Sequence, residues 1–161
     1  MTDLIKPISS IFFLNTKLFT NCIEGVTEDI YLRRESSGIN NIAFIACHII
    51  DARFFIARFA GAEIENPFKD VFDRIKSPGQ AELFPPVGTI TPLWKEISIH
   101  IENRFKEIPQ EYLMKEAGLQ LPLTEKTILG GLSFLIQHEA FHIGQLALLR
   151  KLSGLSAMKY V

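Results

Sequence analysis

The sequence predicts an all-α protein, a four-helix bundle with a long connection between its second and third helices, and three observations carry that prediction. Four segments repeat apolar residues at steps of three and four, the period of a helix with one buried face. No segment alternates apolar and polar residues as a half-buried strand does. Each periodic segment stops at a residue that ends helices: Gly25, Gly61 and Gly154 after the first, second and fourth, and Pro109 after the third. The 161 residues are 47% apolar and only 22% charged, with 13 Phe, enough to bury a core as one domain over 1–161 without staples.

The first helix, from about Lys6 to Glu24, places Ile8, Phe12, Asn15, Phe19 and Cys22 on one stripe. A polar connector, Thr27 to Gly38, leads to the second, from about Ile39 to Ala60, whose inner side reads Ile42, Ile45, Ile49, Ala52, Ile56 and Phe59. The connection Ala62 to Ile90 is rich in Pro and Gly, and connections of that length are often functional. Its Phe68, Phe72, Ile75 and Phe84 predict that it packs over the bundle, with a short helix around Asp70 to Lys76. The third helix, from about Thr91 to Ile108, carries Leu93, Ile97, Ile101, Phe105 and Ile108. The fourth, from about Glu125 to Ser153, is the longest, and the tail after it ends in Met158, Tyr160 and Val161, apolar enough to dock on the bundle or on a partner chain.

Composition removes several function classes. Seventeen basic against 18 acidic side chains give a net charge of -1 and no field for a phosphate backbone, so nucleic acid is not an expected partner. Polar residues interrupt every apolar run before it can span a bilayer, and Met1 to Lys6 lacks the form of a signal peptide. No membrane partner is expected. Cys22 and Cys47 lie in apolar helical patterns without a CxxC spacing, which suits free thiols and a cytoplasmic, soluble protein. No Gly-rich phosphate loop, nucleophile elbow or Glu-xx-His pair of a di-iron bundle is present.

The fourth helix holds the chemistry. Its inner stripe reads Gly131, Leu135, His138, His142, Gln145, Leu149 and Leu152, so three polar residues stand where apolar ones belong. Burying an imidazole or amide without a partner is costly, so these residues need hydrogen bonds or a metal. His138 and His142 lie one turn apart on one face, from which both rings can reach one ion. His48, sharing a face of the second helix with Ile45, Ile49 and Ala52, is the natural third ligand, and His100 reads as a boundary residue outside the site. Three neutral imidazoles make an open site with room for a small-molecule substrate. Zinc, nickel, iron and copper all accept imidazole, so ligand type does not choose among divalent transition metals; zinc or nickel is the expected occupant. Asp51, one turn after His48, is a candidate to orient that ring or to pair with Arg53 or Arg58. Gln145 is a candidate to assist chemistry at the ion.

Residues 138 to 142 also read His-Glu-Ala-Phe-His, the HExxH pattern of zinc proteases in which the glutamate is a general base. Those enzymes take a third ligand downstream, and Ile143 to Val161 contains no His, Asp or Glu. A protease is therefore not expected, although Glu139 remains a candidate base beside an ion. Cys47 points about 100° away from its neighbour His48 around the helix and reads as a buried small residue.

HEAFHIGQLALLRKLSG resembles the HxxxHxGQ signature of the DinB-like (DinB/YfiT) superfamily, and ACHIIDARFFIARFAG is similar to its first-ligand region. The resemblance implies a bundle in up-down-down-up order, a long second connection, a homodimer, and His48, His138 and His142 as the metal triad. Gly144 and Gln145 match the motif's last pair; Glu139 is the departure from it. For activity, the resemblance implies a metal-dependent S-transferase or detoxifying enzyme using a low-molecular-weight thiol as cosubstrate. A hydrolase using metal-bound hydroxide, or a protein that only binds the metal or a partner, are the alternatives.

Overall fold

The structure, a computed structural model, describes residues 1–160. Seven helices form: α1 (Lys6–Ile23), α2 (Glu28–Leu32), α3 (Ile42–Phe59), α4 (Lys69–Arg74), α5 (Val87–Glu107), α6 (Gln110–Leu113) and α7 (Ile128–Leu152). The long ones, α1, α3, α5 and α7, are the four helices the periodicity predicts, and the described residues contain no strand beyond an isolated bridge of Glu116 with Thr127. Packing closes them in a ring: α7 lies between α1 and α3, and α5 closes the other side between α3 and α1.

Cross-helix contacts give the directions. Asn15 donates to the Ile136 carbonyl and Cys22 meets that of Ile143, so α1 and α7 are parallel. Phe12 packs on Phe105 while Phe19 stacks on Trp94, so α1 and α5 are antiparallel. Arg53 reaches Ser98 and Arg104 reaches the Ala60 carbonyl, which makes α3 and α5 parallel. The order is up-down-down-up.

Helix limits follow capping chemistry. The Asn41 side chain accepts from the Phe44 amide at 2.9 Å, so α3 starts at Ile42 and not at Ile39. Thr127 caps Gly130 in the same way, which starts α7 at Ile128 and not at Glu125. In α5 the start moves the other way, from Thr91 to Val87, with Pro92 inside the helix, where it gives up one backbone hydrogen bond to the preceding turn. The connector after α1 contains α2, capped by Thr27 with Glu28 and Asp29 favourably placed in its first turn.

The core stripes of α1 and α5 are largely as predicted: Phe12, Asn15, Phe19 and Cys22 are buried and Ile8 is half-buried, and Leu93, Ile97, Ile101, Phe105 and Ile108 are buried. The stripe of α7 is not. Its buried residues include Leu132, Ile136, Glu139, Ile143, Leu146 and Arg150, one position round from most of the predicted stripe; Leu149 is buried as predicted, and Leu152 is 52% exposed. Gly131 is also buried, and a Cβ there would stand 2.6 Å from the Phe59 ring, so the close approach of α7 to the end of α3 requires glycine. In α3, Arg53 is fully buried while Ala52 and Phe59 are only half-buried.

The long connection packs as predicted, with Phe72 and Phe84 buried and α4 lying on α3. Met158 of the tail packs against the core beside Cys22, while Val161 lies outside the described residues. Both cysteines are free and buried. Among the described residues no helix is long and apolar enough to cross a membrane.

Candidate metal centre

His48 projects from the middle of α3, and His138 and His142 from successive turns of α7, where these helices run antiparallel. The shifted stripe of α7 puts the histidines on the rim of the helix interface. His48 is exposed, and His138 and His142 are half-buried. The expectation that they interrupt a core seam is corrected accordingly, because Glu139, one residue round, takes the core position.

Ring nitrogens of His48, His138 and His142 lie within 4.8 Å of one another. The Nε2 atoms of His48 and His138 are 3.1 Å apart. That is a hydrogen-bond distance, with one ring donating, and it lies close to the about 3.3 Å that separates two ligands on a tetrahedral zinc, so the pair can share one ion. The three rings stand nearly perpendicular to one another, at 78° to 85°, with centroids 4.5–5.3 Å apart. His100 is exposed on α5 and is not part of the cluster.

Gln145 fixes the third ligand. Its Oε1 lies 2.7 Å from His142 Nδ1, and an amide oxygen only accepts, so Nδ1 carries the proton and Nε2 keeps its lone pair. This is the support a metal-binding imidazole usually receives. Although His48 is exposed as a residue, partial desolvation holds it below its ordinary value of 6.5, with His142 and His138 acting the same way and Asp51 opposing. His138 is lowered by burial and then by His142, against Glu139. Both shifts favour the neutral, ligating form. Soft-to-borderline nitrogen donors at this spacing fit a divalent transition metal.

Glu139 is turned away from the cluster. Both of its oxygens are held by Arg53, Nε at 2.6 Å and Nη2 at 2.9 Å, and the two side chains are 1% and 0% exposed. Arg53 also donates to Ser98 Oγ and lies on the Trp94 ring, 3.3 Å from its centroid. A carboxylate bound this way is not free to act as a base beside the histidines. Asp51 contacts neither Arg53 nor Arg58; it accepts from Asn66 Nδ2 at 2.9 Å, which ties the long connection to α3 beside His48. Periodicity missed the Arg53–Glu139 pair and the Asp51–Asn66 contact because both partners lie far apart in sequence.

Two hollows flank His48. A small one, of about 80 Å³, is lined by Phe44, Cys47, Asp51, Phe72 and Ile75, so α4 covers that side. A more open one, of about 390 Å³, lies between α3 and α7, with Phe55, Phe134, Leu135 and His138 on its walls and Arg58 and Lys69 at its edge. Cys47 is no nucleophile here: burial pushes its thiol up to about 12 despite a contact with Tyr31.

Fold and site together define a helical bundle whose three histidines, drawn from two facing helices, can hold a metal ion at an open cleft. A profile of the DinB superfamily matches residues 14–146, a span that contains all three histidines and Gln145. The chain belongs to the DinB superfamily. The search of curated proteins returns no match.

Proposed function

We propose that the protein is a metal-dependent S-transferase that joins a low-molecular-weight thiol to an electrophile. The observation that carries this reading is the three-nitrogen cluster, two of whose histidines, His48 and His138, line the 390 Å³ hollow, so part of the donor set faces space for a small molecule. A divalent ion bound there would lower the pKa of a coordinated thiol and hold it for attack. The protein's own contribution is positional. His48, His138 and His142 present ring nitrogens, and Gln145 holds His142 in the ligating tautomer. Phe55, Phe134 and Leu135 offer an apolar wall to an electrophile. Arg58 supplies positive charge suited to a carboxylate of a small thiol, while Lys69 is paired with Asp73 and Asp51 lines the same hollow.

The hydrolase alternative is less well supported, because its assisting carboxylate, Glu139, is bound to Arg53. Zinc- or nickel-loaded protein should consume an electrophile such as an aryl halide only when a thiol is present, and His138→Ala should abolish that consumption. Turnover without thiol, or full activity in His138→Ala, would exclude this reading.

A further inference from the structure

We propose that the buried Arg53–Glu139 pair is the positioning device of the metal site, setting the register of α7 on α3 so that His138 and His142 meet His48. The inference rests on the reading that the three histidines hold an ion. Glu139 follows His138 directly and precedes His142 by three residues, while Arg53 lies five residues after His48. The pair therefore joins the two ligand-bearing helices at the level of their ligands. It bonds through both oxygens, which fixes distance and angle together.

Stability does not explain its presence. A fully buried ion pair gives up hydration that its own attraction only partly restores, and apolar pairs of similar volume often stabilise as well or better. Apolar packing alone also specifies register weakly here. The aliphatic residues of α7 facing the core, Leu132, Ile136, Ile143 and Leu146, recur at steps of four, seven and three. A slide of one turn, about 5.4 Å, would exchange one branched side chain for another and set one imidazole of α7 where the other had been, leaving a single one opposite His48. Glu139 is the only buried carboxylate among the described residues, so it has one possible seat. Gly131 against Phe59 pins the same interface two turns away, and the ion pair pins it at the site.

Arg53 is itself held on three sides. Ser98 of α5 accepts from it, the Trp94 ring lies against one face, and the Phe12 ring is 4.3 Å from its carbon. Position is thus transmitted from α1 and α5 through Arg53 to the helix that carries two of the three ligands.

The test uses the full chain with Co²⁺ as the probe metal. Arg53→Met/Glu139→Leu removes both charges at similar volume. We expect the metal-free double variant to unfold cooperatively at or above the wild-type temperature. Its Co²⁺ affinity, measured against a competing chelator, should fall by about tenfold or more, with a changed visible d–d band. Glu139→Gln, which keeps an oxygen for Arg53, should lose affinity by a smaller factor. Affinity within about twofold of wild type and an unchanged band, in either folded variant, would overturn the proposal. So would failure of both variants to fold, since a positioning role requires a fold that survives its loss. Absence of Co²⁺ binding by the wild type would instead remove the metal reading on which the proposal stands.

Discussion

Two adjacent residues of α7 face opposite fates. Glu139 enters the core and finds every partner it needs in Arg53, whereas His138, one position earlier, stays at the rim with its Nε2 set 3.1 Å from that of His48. The buried pair is closed and saturated, with nothing left to offer a ligand. The histidine cluster is the reverse, three imidazoles with a ring nitrogen each within 4.8 Å of the others, beside open space. Polar residues in an apolar helix can thus hold a fold or bind a ligand, and what separates the two is whether partners within the protein satisfy them.

The sharpest way to break the comparison is to remove one member from each side. Glu139→Ala leaves the Arg53 charge buried without its partner and should destabilise the protein by about 3–5 kcal/mol in urea unfolding. His142→Ala in metal-free protein, at the rim, should change stability by only about 0.5 kcal/mol. Similar values for the two would erase the distinction.

Gly131→Ala sits on the closed side, two turns from the histidines. Its Cβ meets the Phe59 ring at 2.6 Å, so the ring or the helix must shift, and a loss of about 1–3 kcal/mol is expected in the same assay. On the open side, Gln145→Leu frees the His142 tautomer. We expect Zn²⁺ affinity to drop about tenfold by competition titration, with the unfolding midpoint of the metal-free protein nearly unmoved.

Acid should act on the open side by the smallest amount. His48 and His138 have folded values below their unfolded value of 6.5, so the unfolded chain takes up protons first as pH falls. Metal-free stability should therefore be flat above about pH 7, decline as pH drops through 6.5 toward the lower folded values, and level off beneath them. Replacing both residues by Gln should remove that part of the slope in urea midpoints measured between about pH 7.5 and 5.

The same contrast marks what the sequence makes legible. Local periodicity determines the stripes of α1 and α5, where Phe12, Phe19, Ile97 and Phe105 recur at helical steps and are buried. It also brings out the His138 and His142 pair, because two imidazoles one turn apart are a local feature. It misplaces the inner face of α7, since His138, His142 and Gln145 keep the same steps as the true stripe one residue round. Nothing local distinguishes Arg53 in the run Asp-Ala-Arg-Phe-Phe as buried, because its burial depends on a carboxylate 86 positions later. The short α2 is different: Thr27 before Glu28 and Asp29 is a helix start visible in sequence, and the prediction of a plain connector passes over it.

Metal content tests the central claim most directly. Protein incubated with Zn²⁺, desalted and analysed for zinc should carry about one ion per chain, and His48→Ala/His138→Ala treated identically should carry less than about a tenth of that. Equal zinc in the two proteins would contradict a site built from His48, His138 and His142.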